Sequence, residues 1–241
     1  MNQQVRDFVA RGDAERHIFN ELLTRHISSK VIKPGDSVLD LGANEGFHAK
    51  EFSRLVGDQG KVHAFEPNPE LWSDLSAIPN VRLWPYAVGS RTSVETFFLP
   101  IGHHQVGSLV DARDFMGQDT PMKMLSVVLA SVDSLPEAIE KPITFVKIDI
   151  ERYEEQAMRG AAITLMRDKP IIIYENHTQG IGELLGSMGF QIFHMLHDID
   201  PDLEMPNVVA VHKDSGWTTP HFLPQQHEVD RIVLGAANYG L

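Results

Sequence analysis

Four acidic residues stand at or next to the ends of short apolar segments. Asp40, Glu66, Asp149 and Glu175 each follow a run of apolar residues bounded by turn-forming residues, a pattern typical of buried strands. Ligands of open α/β sheets bind at the carboxyl ends of the strands, where carboxylates can bind sugar hydroxyls, hold a cation or take up protons. A single carboxylate there often only caps the following helix, but four together favour a ligand site.

The segment after Asp40 has the form Gly-x-x-x-Gly, with Gly42 and Gly46 as its glycines. Dinucleotide-binding loops instead have Gly-x-Gly-x-x-Gly, which brings the backbone close to a pyrophosphate. The loop therefore favours a nucleoside cofactor without phosphate, although a structural turn and a nucleotide-dependent oxidoreductase remain open. Glu66 lies 24 residues after Gly42, close to the spacing at which an acidic residue binds ribose in dinucleotide-binding folds. We therefore expect Glu66 to bind a ribose.

These residues require an alternation of strands and helices to position them. The apolar pattern predicts strands at 37–41, 61–66, 81–84, 143–149, 170–175, 190–195 and 207–212, with helices at 46–56, 68–76, 153–166 and near 184–188. This rhythm predicts a doubly wound α/β fold with a mostly parallel central sheet and helices on both faces. Residues 94–99 and 124–132 are also β-prone, and residues 102–118 between them form a candidate substrate lid.

The chain reads as one domain with an extension at each end. Residues 1–35 are predicted to form two helices of the same domain, 36–213 the main α/β unit, and 214–241 a tail that covers the site or lies at a subunit interface.

Composition narrows the function further. A net charge of -12 and a pI near 5.4 argue against a nucleic-acid partner, and the absence of cysteine excludes disulfides, thiolate metal sites and a thiol nucleophile. No apolar stretch of about 18 residues is present. We expect a cytoplasmic protein that acts on a small molecule or glycan, binds neither nucleic acid nor membrane, and is a candidate homo-oligomer.

The sequence between residues 38 and 213 resembles the FkbM-type methyltransferases, a family of the class I (Rossmann-like) S-adenosylmethionine-dependent enzymes. The similarity lies in five segments: Val38-Leu39-Asp40-Leu41-Gly42-Ala43-Asn44-Glu45-Gly46, Ala64-Phe65-Glu66-Pro67-Asn68-Pro69, Ala87-Val88-Gly89, Val132-Asp133-Ser134-Leu135 and Val146-Lys147-Ile148-Asp149-Ile150-Glu151. The family usually continues the last segment with Gly-x-Glu, whereas this chain has Arg152-Tyr153-Glu154. The resemblance implies a seven-stranded sheet with one antiparallel strand near the C-terminus.

The same resemblance implies how the chain would hold S-adenosylmethionine. The loop residues Asp40, Gly42, Asn44 and Gly46 would hold the methionine portion and Glu66 the ribose. Asn68 would hold the adenine together with the turn at Tyr86 and Ala87, and Asp149 would flank the cofactor.

Methyl transfer to a hydroxyl, which the resemblance favours, also needs a group that removes the hydroxyl proton. His177 is attractive because the unperturbed pKa of histidine lies near neutrality, and Asp149 and Glu151 are further catalytic candidates. Asp149, Glu175 and Asn176 offer oxygen ligands that would suit a divalent cation such as magnesium. A nicotinamide-dependent oxidoreductase and a module that binds S-adenosylmethionine without catalysis remain the alternatives.

Overall fold

The computed structural model describes residues 7–102, 106–135, 139, 141–177, 179–196, 206–217 and 221–237. In these residues the strands are β1 (Ser37–Leu41), β2 (Lys61–Phe65), β3 (Val81–Trp84), β4 (Ala87–Val88), β5 (Ser93–Pro100), β6 (Met122–Ala130), β7 (Ile143–Ile148), β8 (Ile171–Glu175), β9 (Phe190–His194) and β10 (Asn207–His212). The α-helices are α1 (Asp13–Val31), α2 (Phe47–Val56), α3 (Trp72–Ser76), α4 (Arg113–Met116), α5 (Glu154–Gly160), α6 (Ala162–Asp168), α7 (Gln179–Ser187) and α8 (Gln226–Ala237).

Seven strands form the central sheet, in the order β3-β2-β1-β7-β8-β10-β9. All neighbouring pairs are parallel except those of β10, which is antiparallel to both β8 and β9. The predicted sheet, mostly parallel with one antiparallel strand near the C-terminus, is therefore confirmed. Strands β1 and β7 are neighbours, and the chain continues from them in opposite directions across the sheet. Ligands of doubly wound folds bind at such a switch point.

Alternate residues of the central strands pack into two apolar layers. Val38 and Phe145 face a layer built with α1, α2 and α8, whereas Leu39 and Val146 face a layer built with α5, α6 and α7. This arrangement follows from the period of two in a strand, because successive side chains point to opposite faces of the sheet. Both faces are covered by helices, as the sequence pattern predicts.

The β-prone middle of the chain forms a second, three-stranded sheet rather than part of the central one. Its order is β4-β6-β5, and β5 pairs antiparallel with β6 along its whole length. Phe97 and Leu129 form a small apolar core on one side of this sheet. Residues 106–118 of the predicted lid include the short helix α4 and a single bridge between Phe98 and Ser108, while residues 103–105 lie outside the described part of the chain.

The helix predicted at 153–166 is interrupted, so that two short helices, α5 and α6, replace it. The interruption falls where Gly160 touches the turn after β4, because a Cβ atom on Gly160 would lie only 1.8 Å from the carbonyl oxygen of Gly89. The backbone at Ala161 then leaves the helical region, with φ −114° and ψ 7°. A tertiary contact therefore ends a helix that the local sequence would continue.

The two ends of the chain pack against each other. Val229 and Val233 of α8 belong to the same core as Phe19 and Leu23 of α1, and Lys30 donates a hydrogen bond of 2.9 Å to Glu228. The described residues of the predicted tail thus pack on α1, and none of them lines the cavity described below. No helix in the described ranges is both long and apolar enough to span a membrane.

Candidate active site

A cavity of about 600 Å³ opens at the carboxyl ends of β1, β2, β7 and β8. The loops after these strands supply its floor, α1 forms one wall, and Phe97, Gly107 and Leu109 of the second sheet and its loop form another. Of the described residues that line it, six are acidic and one is a lysine: Glu21, Glu45, Glu66, Asp149, Glu151, Glu175 and Lys147. The cavity therefore disfavours anionic ligands such as phosphates.

The loop after β1 can adopt its path only with glycine at two positions. Gly42 has φ +84°, and a Cβ atom there would lie 1.9 Å from the carbonyl oxygen of Asp149. Gly46 has φ +80° and precedes α2, where a Cβ atom would lie 2.8 Å from Ile78. Gly42 and Asn44 line the cavity. Gly46 does not line it, and its role is to allow the backbone turn that precedes α2. The loop thus presents backbone, rather than bulky side chains, to a ligand.

Glu66 lies at the end of β2 and joins two loops. One carboxylate oxygen accepts a hydrogen bond from the backbone N–H of Asn44 and the other from that of Asn68, each at 2.8 Å. Burial raises the pKa of Glu66 to about 7 in spite of these bonds. Because a carboxylate oxygen can accept more than one hydrogen bond, Glu66 can still bind ribose hydroxyls in the cavity that it lines.

The residues predicted to hold the adenine divide into two groups. Tyr86 and Ala87 line the cavity together with Phe65, and they offer an apolar and aromatic surface of the kind that accommodates a base. Asn68 is buried and does not line it, and its side-chain oxygen accepts a hydrogen bond of 3.1 Å from the N–H of Glu70. Asn68 therefore caps the 3-10 turn after β2.

Asp40, Lys147 and Asp149 form a charged group between β1 and β7. The ammonium group of Lys147 donates a hydrogen bond of 3.0 Å to Asp149, and Asp40 is the register partner of Lys147 across the two strands. Burial opposes the charge of Lys147, but Asp149, Asp40 and Glu21 together raise its pKa. Asp40 itself has no exposed surface, and burial raises its pKa. No role was predicted for Lys147 from the sequence. Its unusual position, a lysine inside an otherwise apolar strand, could have indicated one.

Helix α1 supplies polar groups to the cavity that the sequence patterns missed. Glu21 forms an ion pair of 2.7 Å with His48 of α2, and Asn20 lies beside it on the same helix. Burial opposes ionisation of Glu21, but pairing with His48 lowers its pKa to about 2. The sequence feature that could have indicated these two residues is their position between Phe19 and Leu22, inside an otherwise apolar stretch of α1.

Glu151 and Glu175 line the cavity after β7 and β8, and His177, which is not part of the lining, lies beside them. Each offers one ligand or proton-carrying atom, and these atoms all lie within 4.8 Å of one another. The contact of 2.8 Å between His177 Nε2 and Glu175 raises the pKa of His177. Burial and the neighbouring charges of Asp149 and Glu175 raise the pKa of Glu151 to about 8. His177 and Glu151, two of the three predicted catalytic residues, are therefore neighbours. The third, Asp149, is paired with Lys147 instead.

The predicted metal-binding set of Asp149, Glu175 and Asn176 is not the group that the structure assembles. Asn176 is exposed, and Asp149 is held by Lys147. Glu175 instead faces Glu151 and His177. The physical reason is a tight backbone turn at Asn176, where the N–H of His177 donates a hydrogen bond of 3.2 Å to the carbonyl of Glu175, so that His177 lies beside Glu175.

A strained turn places Glu151 in the cavity. Glu151 and Arg152 both have positive φ values, 54° and 73°, which non-glycine residues rarely adopt. The buried carboxylate of Glu154 accepts hydrogen bonds from the N–H groups of Ile150 and Arg152, at 3.3 and 3.2 Å, and the Ser108 hydroxyl donates one to the carbonyl of Glu151. Several contacts therefore fix a conformation that costs free energy locally.

Comparison with known proteins identifies the family. Residues 40–200 match the family described as the methyltransferase FkbM domain. The chain belongs to this family.

Three solved structures that align with the chain are distant from it in sequence. A methyltransferase FkbM from Methylobacillus flagellatus KT aligns with a TM-score of 0.49 and 15% identity, over 76% of this chain and 48% of that one, so the chain spans about half the length of this relative. A putative rRNA methylase from Clostridium thermocellum aligns with a TM-score of 0.46 and 13% identity, over 78% of this chain and 90% of that one. A putative methyltransferase from Streptococcus mutans, in complex with S-adenosylhomocysteine, has a TM-score of 0.43 and 12% identity, over 78% and 93%. No curated protein matches the sequence.

Proposed function

We propose that this FkbM-family protein transfers a methyl group from S-adenosylmethionine to a hydroxyl group of a small molecule, sugar or natural product. The observation that carries the proposal is Glu66, a buried carboxylate that joins the two loops on either side of it and also lines the cavity. It stands where a ribose would lie between the Gly42 loop and the aromatic surface of Tyr86.

The residues present fit this cofactor better than a dinucleotide. Six acidic residues line the cavity against one lysine, and such a lining repels a pyrophosphate but tolerates a cationic sulfonium. Gly42 and Asn44 would hold the methionine portion, Glu66 the ribose, and Tyr86 and Ala87 the adenine. When bound, S-adenosylmethionine supplies an electrophilic methyl group attached to positively charged sulfur.

The group of Glu151, Glu175 and His177 is suited to removing a proton from the acceptor. Contact with Glu175 raises the pKa of His177, and burial raises that of Glu151 to about 8, so both groups hold a proton more strongly than they would in water. We assign proton uptake to this group as a whole because its members lie too close to titrate independently. Alignment of the acceptor by the cavity walls would supply the rest of the rate enhancement.

Thermal-shift and calorimetric titrations test the cofactor assignment. S-adenosylhomocysteine should raise the melting temperature and NAD should not, because the acidic cavity disfavours phosphate. The Glu66→Ala variant should bind S-adenosylhomocysteine at least about tenfold more weakly, since it loses hydrogen bonds to ribose. Glu183→Gln, which changes an acidic residue that does not line the cavity, is the control.

Stabilisation by NAD alone would contradict the proposal. Tight binding of S-adenosylhomocysteine without methyl transfer from S-adenosylmethionine to any of a panel of sugars, phenols and aliphatic alcohols would favour the alternative of a non-catalytic binding module.

A further inference from the structure

One corner of the cavity, between α1 and α2, has no part in the ribose, adenine and proton-transfer assignments. Asn20, Glu21 and His48 line this corner, which we call the α1 corner. Asn20 is only 2% exposed and His48 only 5%, so the little surface that they keep belongs to the cavity. Helix α1 lies outside residues 40–200, the part that matches the family.

The α1 corner has a hydrogen-bond acceptor without a donor. The side-chain nitrogen of Asn20 donates to the carbonyl of Arg16 at 3.0 Å, but its oxygen has no hydrogen-bond partner in the described part of the chain. Buried polar atoms of native proteins are nearly always satisfied, so the free oxygen of this cavity-lining residue indicates a ligand that brings a donor.

The charged groups near the α1 corner indicate whether a cationic or an anionic ligand would bind there. Glu21, Asp40 and Asp149 are acidic, and the basic groups that act on them include Lys147, His48 and His17. Lys147 is held by Asp149, and His48 by Glu21. A cation with several N–H donors would satisfy the free oxygen of Asn20 and balance the acidic groups, whereas a carboxylate or phosphate would face repulsion.

We propose that the α1 corner binds a primary ammonium group, with Asn20 and Glu21 as its direct ligands. The inference rests on the proposed function, which offers two sources of such a group: the α-amino group of S-adenosylmethionine and an amine on the acceptor. The cofactor is favoured, because α2 and His48 follow directly on the loop of Gly42 and Asn44. An N-terminal helix outside the family region would then determine how tightly the cofactor binds.

Two nucleosides separate the contribution of the ammonium group from that of the rest of the cofactor. S-adenosylhomocysteine carries the amino-acid head, and methylthioadenosine has the same adenine, ribose and thioether without it. In titration calorimetry, Asn20→Leu and Glu21→Gln should each weaken S-adenosylhomocysteine about tenfold or more and leave methylthioadenosine within about twofold, because only the charged hydrogen bonds are lost. Glu15→Gln, the same change about one and two-thirds turns earlier on α1, should affect neither ligand. Melting temperatures without ligand show that each variant is folded.

Each result supports or overturns the inference. An equal loss for both nucleosides would overturn it, and so would no loss for either nucleoside together with an unchanged KM for an amine-bearing acceptor, because no ammonium group would then bind at this corner. If both nucleosides bind normally but the KM of an amine-bearing acceptor rises relative to its deaminated analogue, the corner binds ammonium from the acceptor instead. Failure of the unaltered protein to bind either nucleoside would refute the proposed function itself, a result distinct from the others.

Discussion

Arg152 has a left-handed backbone conformation, which costs an L-residue other than glycine, asparagine or aspartate about 1–2 kcal/mol. The turn keeps this conformation because Glu154, buried beneath it, accepts hydrogen bonds from two of its N–H groups. The strain gives Glu151 its place in the cavity.

We expect Arg152→Gly to raise the free energy of unfolding by about 1 kcal/mol, since glycine removes the strain but adds some entropy to the unfolded chain. Chemical denaturation measures the change. Lys50→Gly replaces an exposed cationic residue inside α2, where φ is helical, and should lower the free energy by about 1 kcal/mol. A loss of stability in both variants would show that the turn is not strained.

Some features of single site residues could be predicted from the sequence, and others could not. Glu66 could be predicted to line the site because its spacing from the glycine loop reflects a fixed strand-to-strand distance. Its two backbone hydrogen bonds could not be predicted, since they depend on how the loops after β1 and β2 approach each other. The grouping of Glu175 with His177 rather than Asn176 depends on side-chain direction, which strand ends alone do not give.

At the scale of elements, the central strands could be predicted almost to the residue because each is a short apolar run between turn residues. Strands β5 and β6 were also predicted, but not their separate sheet, because strand pairing depends on partners far away in sequence. The same limit applies to α5 and α6, where contact with Gly89 ends a helix. Local patterns thus predicted the elements, and tertiary contacts decided their boundaries and partners.

Helix α8 should contribute to stability through one face only. Val233 is 7% exposed and packs in the core with α1, whereas the adjacent Leu234 is 60% exposed. Val233→Ala should lower the free energy of unfolding by about 2 kcal/mol, because buried methyl groups are lost and a cavity remains. Leu234→Ala removes more atoms but should change it by less than about 0.5 kcal/mol. Denaturation curves of both variants give the comparison, and equal effects would mean that α8 does not pack on α1.

The whole molecule carries an unusual set of buried acids, which should make its stability fall as the solution becomes alkaline. The folded-state pKa values of Glu66 and Glu154 are raised to about 7 and that of Glu151 to about 8, mainly by burial, and that of His177 is raised by Glu175. In the unfolded chain the three glutamates are already ionised near neutral pH. The folded state therefore holds more protons there, and raising the pH favours unfolding.

We expect the melting temperature to fall by several degrees between about pH 7 and pH 8.5. Histidines with lowered pKa values, such as His63 at about 4, act in the opposite sense only at lower pH and do not mask the trend. Glu151→Gln should flatten the dependence, since glutamine does not titrate. Thermal unfolding in buffers of constant ionic strength measures both slopes. A melting temperature that is constant or rises over this range would show that these acids are not protonated in the folded protein.

The contact between α1 and α8 determines the order in which parts of the cavity form during folding. Lys30 and Glu228 are 198 residues apart in the chain but joined by a hydrogen bond. During synthesis α1 leaves the ribosome well before α8, the helix that covers its apolar side. Contacts over such distances form late because a large loop must close first. The wall that holds Asn20 and Glu21 would therefore become ordered only near the end of folding, after the central sheet and its glycine loop.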